Sequence, residues 1–268
     1  MLKQSQALAD LAWVVSSAPL YNDEAVVAAE TIDVTKVDGE HLVSFLERVE
    51  SYRVGRYFEA LLHYWLEHVR GVRILAVGEQ IRDGKITVGE LDLIFDDERG
   101  RRTHWEATVK FFLHVPGHVP SEYPGPNAND NLERKAVKLF EKQLPLSMTR
   151  RPDVEIRQAF VRGVIFYHPE LSAPAAPVPY LAPEHGRGIW VRRSEVMTLQ
   201  SLGFETVSQF HKPCWLAPPT GPTHPIAELE GLVHGSSDGI SRPQLFSLGR
   251  ADDCVRCFVV HDTWPDAA

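Results

Sequence analysis

Two runs near the middle of the chain alternate apolar and polar residues with the two-residue period of half-buried strands. The first, TVGELDLIF over 87–95, puts Val88, Glu90, Asp92 and Ile94 on one face and Gly89, Leu91, Leu93 and Phe95 on the other. The second, THWEATVKFF over 103–112, puts His104, Glu106, Thr108 and Lys110 on one face and Trp105, Ala107, Val109 and Phe111 on the other. The segment between them, DDERGR, is polar and carries Gly100, which predicts a hairpin. Paired strands lie about 4.8 Å apart, so Asp92 and Glu106 can face each other, with Glu90 and Lys110 nearby. Carboxylates gathered on one sheet face repel unless a cation lies between them, and a hard divalent metal is the usual solution.

The periodicity on either side supplies the remaining elements. Ser5–Ser17 predicts a short amphipathic helix, Asn22–Gly39 an acidic loop, and Glu40–Val69 a helix. In that helix Val54, Phe58, Leu61, Leu62, Trp65 and Val69 form an apolar stripe. Glu59 stands about 90° from the stripe's centre, at the edge of the buried face, where it either looks over the sheet or pairs with Arg56 or His63. A strand over Val72–Ile81 and a turn at 82–85 lead into the hairpin. A loop rich in Pro and Gly follows, and Asp130 or Asn129 can cap the next helix. That helix puts Leu132, Ala136, Leu139 and Phe140 on one face and is expected to end at Leu144-Pro145. Gln143 falls inside its apolar stripe and needs a polar partner, while Lys135 stands at the border. Glu155–Tyr167 predicts another strand. The order helix, strand, strand, strand, helix, strand makes an α/β sandwich with a mixed sheet.

From His168 to Val178 the chain is rich in Ala and Pro; beyond it GIWVRR, PQLFSL and VRCFVV read as strands and SEVMTLQSLG as a helix. Three stretches result: 1–39 as N-terminal helix and loop, 40–168 as the core, and 169–268 as a Pro-rich, β-rich extension. Whether the last is a separate unit or a flank of the same sheet stays open at this level.

Composition narrows the classes. No apolar run is long enough to span a bilayer, and the N-terminus lacks a signal-peptide layout. Three cysteines suggest no disulfide framework, and a reducing cytoplasm is expected. The net charge of −8 argues against a generic nucleic-acid binder. Residues 99–193, however, hold 15 Lys and Arg against 9 Asp and Glu, while the remainder holds 13 against 27. That basic middle can meet phosphate, unless the fold disperses it as solvated surface. His104, His114 and His118 are a poor zinc set, because two of them stand in a Pro/Gly loop. Cys254 and Cys257 read as buried small hydrophobes. Trp105, Trp190, Trp215 and Trp264 can stack on bases or pack in the core.

GELDLIF followed by WEATVK, behind a helix carrying Glu59, resembles the PD-(D/E)XK nuclease superfamily, whose core order is α-β-β-β-α-β. The resemblance implies a restriction-endonuclease-like core, with Asp92 and Glu106 holding Mg²⁺ or Mn²⁺ and Glu59 joining them. It further implies the Ala107 carbonyl as a ligand, Glu90 steadying water, and Lys110 stabilising charge on a phosphodiester. Lys135 and Gln143 would position the phosphate. The superfamily pattern is E-x-K, whereas here Thr108 occupies that position and Lys110 follows two residues on, about 6.6 Å along the strand. The strings RVGRYFEALLHYWL, GPNANDNLERK, KQLPLS, RGIW, KPCWLAP and FVVHDTWP are similar to a bacterial family, the domain-of-unknown-function 1853 family. Together these resemblances imply a metal-dependent nuclease acting on DNA or RNA. The alternative is a catalytically degenerate nuclease-fold module that binds nucleic acid or a protein partner.

Overall fold

The structure, a computed structural model, describes residues 2–49, 51–174, 178, 180–235, 242–251 and 253–266. Its frame is set by the strand runs. Helix α1 (Gln4–Ser16), α2 (Gly39–Glu47) and α3 (Val54–Tyr64, prolonged by a wider turn through Trp65–Val69) precede β1 (Arg73–Asp83), β2 (Ile86–Asp96) and β3 (Arg102–His114). Then come α4 (Leu132–Val137), a wide turn over Lys138–Gln143, α5 (Leu144–Arg150) and β4 (Ile156–Tyr167). The C-terminal third adds β5 (Gly186–Arg192), α6 (Thr198–Ser201), β6 (Thr206–Gln209), β7 (His224–Pro225), α7 (Leu229–Gly235), β8 (Gln244–Arg250) and β9 (Asp253–Val260). The expected mixed α/β architecture is present.

All these strands belong to one sheet, in the order β1-β2-β3-β4-β5-β9-β8-β6-β7. β1, β2 and β3 run antiparallel in succession, β4 lies parallel to β3, and β5 and β9 continue parallel. The question left open for 169–268 is thereby answered: its strands extend the same sheet. On one face α1, α2 and α3 bury Leu11, Val14, Phe58, Leu61 and Leu62 against Leu93, Trp105, Ala107, Val109 and Phe160. On the other face α4 and the wide turn after it bury Leu132, Ala136 and Leu139 against Phe112, Val161 and Ile165.

The N-terminal segment is part of this frame. β4 pairs with β5 only from Val164 to Tyr167. The free edge below is filled by the chain after α1, with Leu20 N–H donating to Val161 O and Val27 N–H to Ala159 O. Arg162, fully buried, locks that segment by donating to the carbonyls of Val14, Val27 and Ala28. Asp10 ties α1 to two distant places, accepting from Tyr57 Oη at 2.9 Å and from Ala217 N at 2.7 Å.

Three expectations need correction. The helix over Glu40–Val69 is two helices, broken between Glu47 and Val54. Buried Leu46 and Tyr57 are eleven residues apart, about three helical turns, so the apolar stripe stays in phase across the break and hides it. The cap of α4 is Asn131, whose side chain accepts from Arg134 N–H, and not Asp130 or Asn129. Pro145 does not end the helical stretch but opens α5 in its first turn. The wide turn over Lys138–Gln143 runs straight into α5, and a proline is tolerated where the regular i→i−4 ladder is already relaxed.

Candidate functional site

β2 and β3 pair from Asp96↔Arg102 to Leu93↔Trp105 and no further. The next pair in register is Asp92 and Glu106, and at that point the ladder opens into a fork. The Asp92 side chain takes over the bonding there, its Oδ2 accepting from Ala107 N–H at 2.9 Å. α3 packs on the Trp105 and Ala107 face of β3, whereas Glu106, Thr108 and Lys110 belong to the other face. The fork lets Glu59 of α3 line the same cavity as those residues. That cavity, about 180 Å³, is lined by Glu59, Asp92, Glu106, Ala107, Thr108, Lys110, Lys135, Lys138, Gln143, Tyr21 and Leu139. The strand alternation and the helix edge position therefore bring together seven of the eight residues singled out from the sequence. Glu90 is the exception: it stands beside the cavity, with Arg56 Nη2 3.2 Å from its Oε1. Arg56 also bonds Glu59 Oε2 at 2.8 Å, so Glu59 meets both of its sequence expectations, facing the site and pairing with Arg56.

Charge is concentrated here. Burial, followed by the Asp92 charge, raises the Glu59 carboxyl to about 7 against the pull of Arg56. Burial and then the Glu106 charge raise Asp92 to about 7, although the Ala107 N–H favours its ionised form. Burial raises Glu106 to about 8 against hydrogen bonds and the Lys138 charge. Burial and the neighbouring Lys135 charge lower the Lys110 ammonium. Among the described residues Lys110 has no ion pair, while Lys135 bonds Asp130 at 3.1 Å.

Glu106 is 1% exposed and held from two sides. Gln143 Nε2 donates to Oε2 at 2.7 Å, which gives the stripe's amide its partner. His104 Nε2 lies 2.9 Å from Oε1, Ser147 Oγ lies 3.0 Å from His104 Nδ1, and Arg157 Nε donates to Ser147 Oγ at 3.0 Å. Sequence reasoning missed Lys138, Ser147 and Arg157. Lys138 was detectable one turn on from Lys135. Ser147 and Arg157 carry no sequence signal, because they meet His104 only through tertiary packing.

Among the described residues, no three His, Cys, Asp or Glu side chains are arranged to hold a metal ion directly. The His104, His114 and His118 set is thus not assembled. Cys257 is buried as expected and Cys254 is exposed. Trp105, Trp190 and Trp264 are buried in the core, and Trp215 is half-buried, with Lys212 Nζ 4.7 Å from its ring centroid. No helix among the described residues is long and apolar enough to cross a membrane.

Residues 8–247 match the family described as a domain of unknown function, DUF1853. The chain belongs to the DUF1853 family. No curated protein matches it. In this member Lys110 also lines a second, larger cleft of about 1200 Å³, together with Phe111, Asn127, Lys212, Trp215 and Arg242.

Proposed function

We propose that this DUF1853 member is a metal-dependent phosphodiesterase of the PD-(D/E)XK kind, acting on a nucleic acid. The order of α3, β1, β2, β3, α4–α5 and β4 supports that core, as does the parallel β3–β4 pair. The observation that carries the reading is the fork itself, where Asp92 and Glu106 leave the ladder and face one cavity with Glu59.

The donor set fits a hard cation. All three groups are carboxylates, burial and mutual repulsion disfavour their charges, and the cavity has room for an ion with several waters. Mg²⁺ is typically held by one or two carboxylates, with water and phosphate completing the octahedron. Asp92 and Glu106 are the direct holders. Each Glu106 oxygen keeps a lone pair beyond its hydrogen bond. Glu59 acts through water. When bound, Mg²⁺ or Mn²⁺ supplies Lewis-acid polarisation of the phosphate and lowers the pKa of water.

The chain's own groups do the rest. Lys110, without an ion pair among the described residues, places positive charge where the phosphate's charge develops. Lys135, Lys138 and Gln143 orient that phosphate, and Thr108 stands between Glu106 and Lys110 as a neutral donor. Lys110 and the residues after it on β3, Phe111 and Phe112, line the larger cleft as well.

Labelled DNA and RNA incubated with Mg²⁺ or Mn²⁺ test the reading. Cleavage by wild type that Asp92→Ala abolishes is expected; equal inactivity of both proteins refutes the enzyme. A second reading, a binding module on a degenerate nuclease fold, is favoured by Thr108 in the usual lysine position. Calorimetric titration with Mn²⁺ separates the two, since a module that has lost the chemistry is expected to have lost the cation as well.

A further inference from the structure

We propose that His104, Ser147 and Arg157 form a one-way hydrogen-bond chain that fixes the Glu106 carboxylate as a cation ligand. This assigns His104 and Ser147 as positioning residues and rests on the metal reading above.

The direction of the chain follows from what each group can do. Arg157 has five N–H donors and no acceptor, so it can only donate to Ser147 Oγ, 3.0 Å away. Among the described residues the Ser147 hydroxyl has one other polar partner, His104 Nδ1 at 3.0 Å, so its hydrogen goes there. Nδ1 is then an acceptor. His104 is fully buried, and a ring that accepts at one nitrogen carries its single N–H on the other. That hydrogen is on Nε2, which donates to Glu106 Oε1 at 2.9 Å. Gln143 Nε2 donates to the other oxygen at 2.7 Å. Two donors on two different elements thus pin both oxygens and leave the outward lone pairs toward the cavity.

The chain crosses three elements. His104 is on β3, two residues from Glu106 and on the same face; Ser147 is on α5; Arg157 opens β4. Its far end is itself anchored, with Arg157 Nη2 donating to Val154 O at 2.9 Å. Without Ser147 the imidazole is free to take the other tautomer, which would aim a lone pair at a lone pair of Glu106. Outer hydrogen bonds of this type contribute about 10- to 100-fold in metal affinity.

The test is calorimetric titration of the metal-free full chain with Mn²⁺, with thermal unfolding run alongside. His104→Leu, which keeps bulk and removes the donor, is expected to bind about 10- to 100-fold more weakly than wild type. His104→Gln restores an N–H near the position of Nε2 and is expected to recover most of the affinity, a rescue that packing alone does not give. Ser147→Ala is a small change that tests the tautomer without depending on how the leucine variant folds; it is expected to weaken binding about tenfold. Ser147→Ala binding as tightly as wild type overturns the chain while leaving the metal site standing. Wild type that binds no better than Asp92→Ala overturns the metal reading, and the positioning role with it.

Discussion

Replacing Asp92 with Asn should make the metal-free protein more stable while removing its cation site. Burial and the Glu106 charge raise the Asp92 carboxyl from its ordinary 3.8 to about 7. At about 1.4 kcal/mol per pH unit, the ionised group costs the fold at most about 4 kcal/mol. A carboxyl raised in the folded state adds no cost below its unfolded value. The cost grows as pH rises from about 4 and is complete above about 7. Asn is neutral throughout and keeps an oxygen for the Ala107 N–H, though the bond loses its charge assistance, a deduction of about 1 kcal/mol. The net expectation is a gain of about 1–3 kcal/mol near pH 8 and none near pH 4. For a chain of this size that is a rise of several degrees in the unfolding midpoint, at about 2–4 °C per kcal/mol. Thermal unfolding with a chelator present, at both pH values, measures it; Mn²⁺ should then stabilise wild type and not the variant. An Asn variant with the same stability difference from wild type at both pH values refutes the reasoning, because the acids at the fork would then not oppose one another's charge.

Other perturbations probe the parts around the fork. Lys110→Ala should retain or tighten Mn²⁺ binding, since a neighbouring positive charge is removed, and lower the cleavage rate by on the order of 100-fold in single-turnover assays. Gly163 pairs with Lys110 across β3 and β4, and a methyl there would meet the Lys110 carbonyl and Leu20. Gly163→Ala should therefore cost about 1–3 kcal/mol in urea unfolding and displace Lys110, which a fall in cleavage beyond the stability loss would report. Arg162→Met strands the carbonyls of Val14, Val27 and Ala28, so a loss of roughly 3 kcal/mol is expected. Hydrogen exchange should then show residues 19–28 opening first; uniform acceleration over the whole sheet would contradict the clamp.

Much of the site was legible because it lies on regular elements. Alternation along β2 and β3 put Asp92, Glu106, Thr108 and Lys110 on known faces, and the edge position of Glu59 followed from helical geometry. Gln143 announced itself by being polar inside an apolar stripe, and its partner proved to be Glu106. The break between α2 and α3 was not legible, since an interruption that preserves helical phase leaves the stripe unaltered. Nor was the half-in position of Pro145, which depends on the wide turn before it. Cys254 showed the limit of treating a residue type as a burial class: it stands near the β8–β9 turn, at the exposed end of its strand.

What the amino-acid order determined by itself was local: which segments become strands and helices, and which side of each carries charge. Those properties depend on neighbours a few residues away, through backbone sterics and the periods of the two regular structures. Where the β2–β3 ladder opens, which edge of β4 the N-terminal segment fills, and that the last third joins the same sheet were decided only by tertiary packing. So was the meeting of His104 with Ser147 and Arg157. These are competitions for buried backbone and side-chain partners on separate elements, some of them, such as His104 and Ser147, more than 40 positions apart, and such a competition is settled only once the layers have closed and water has left.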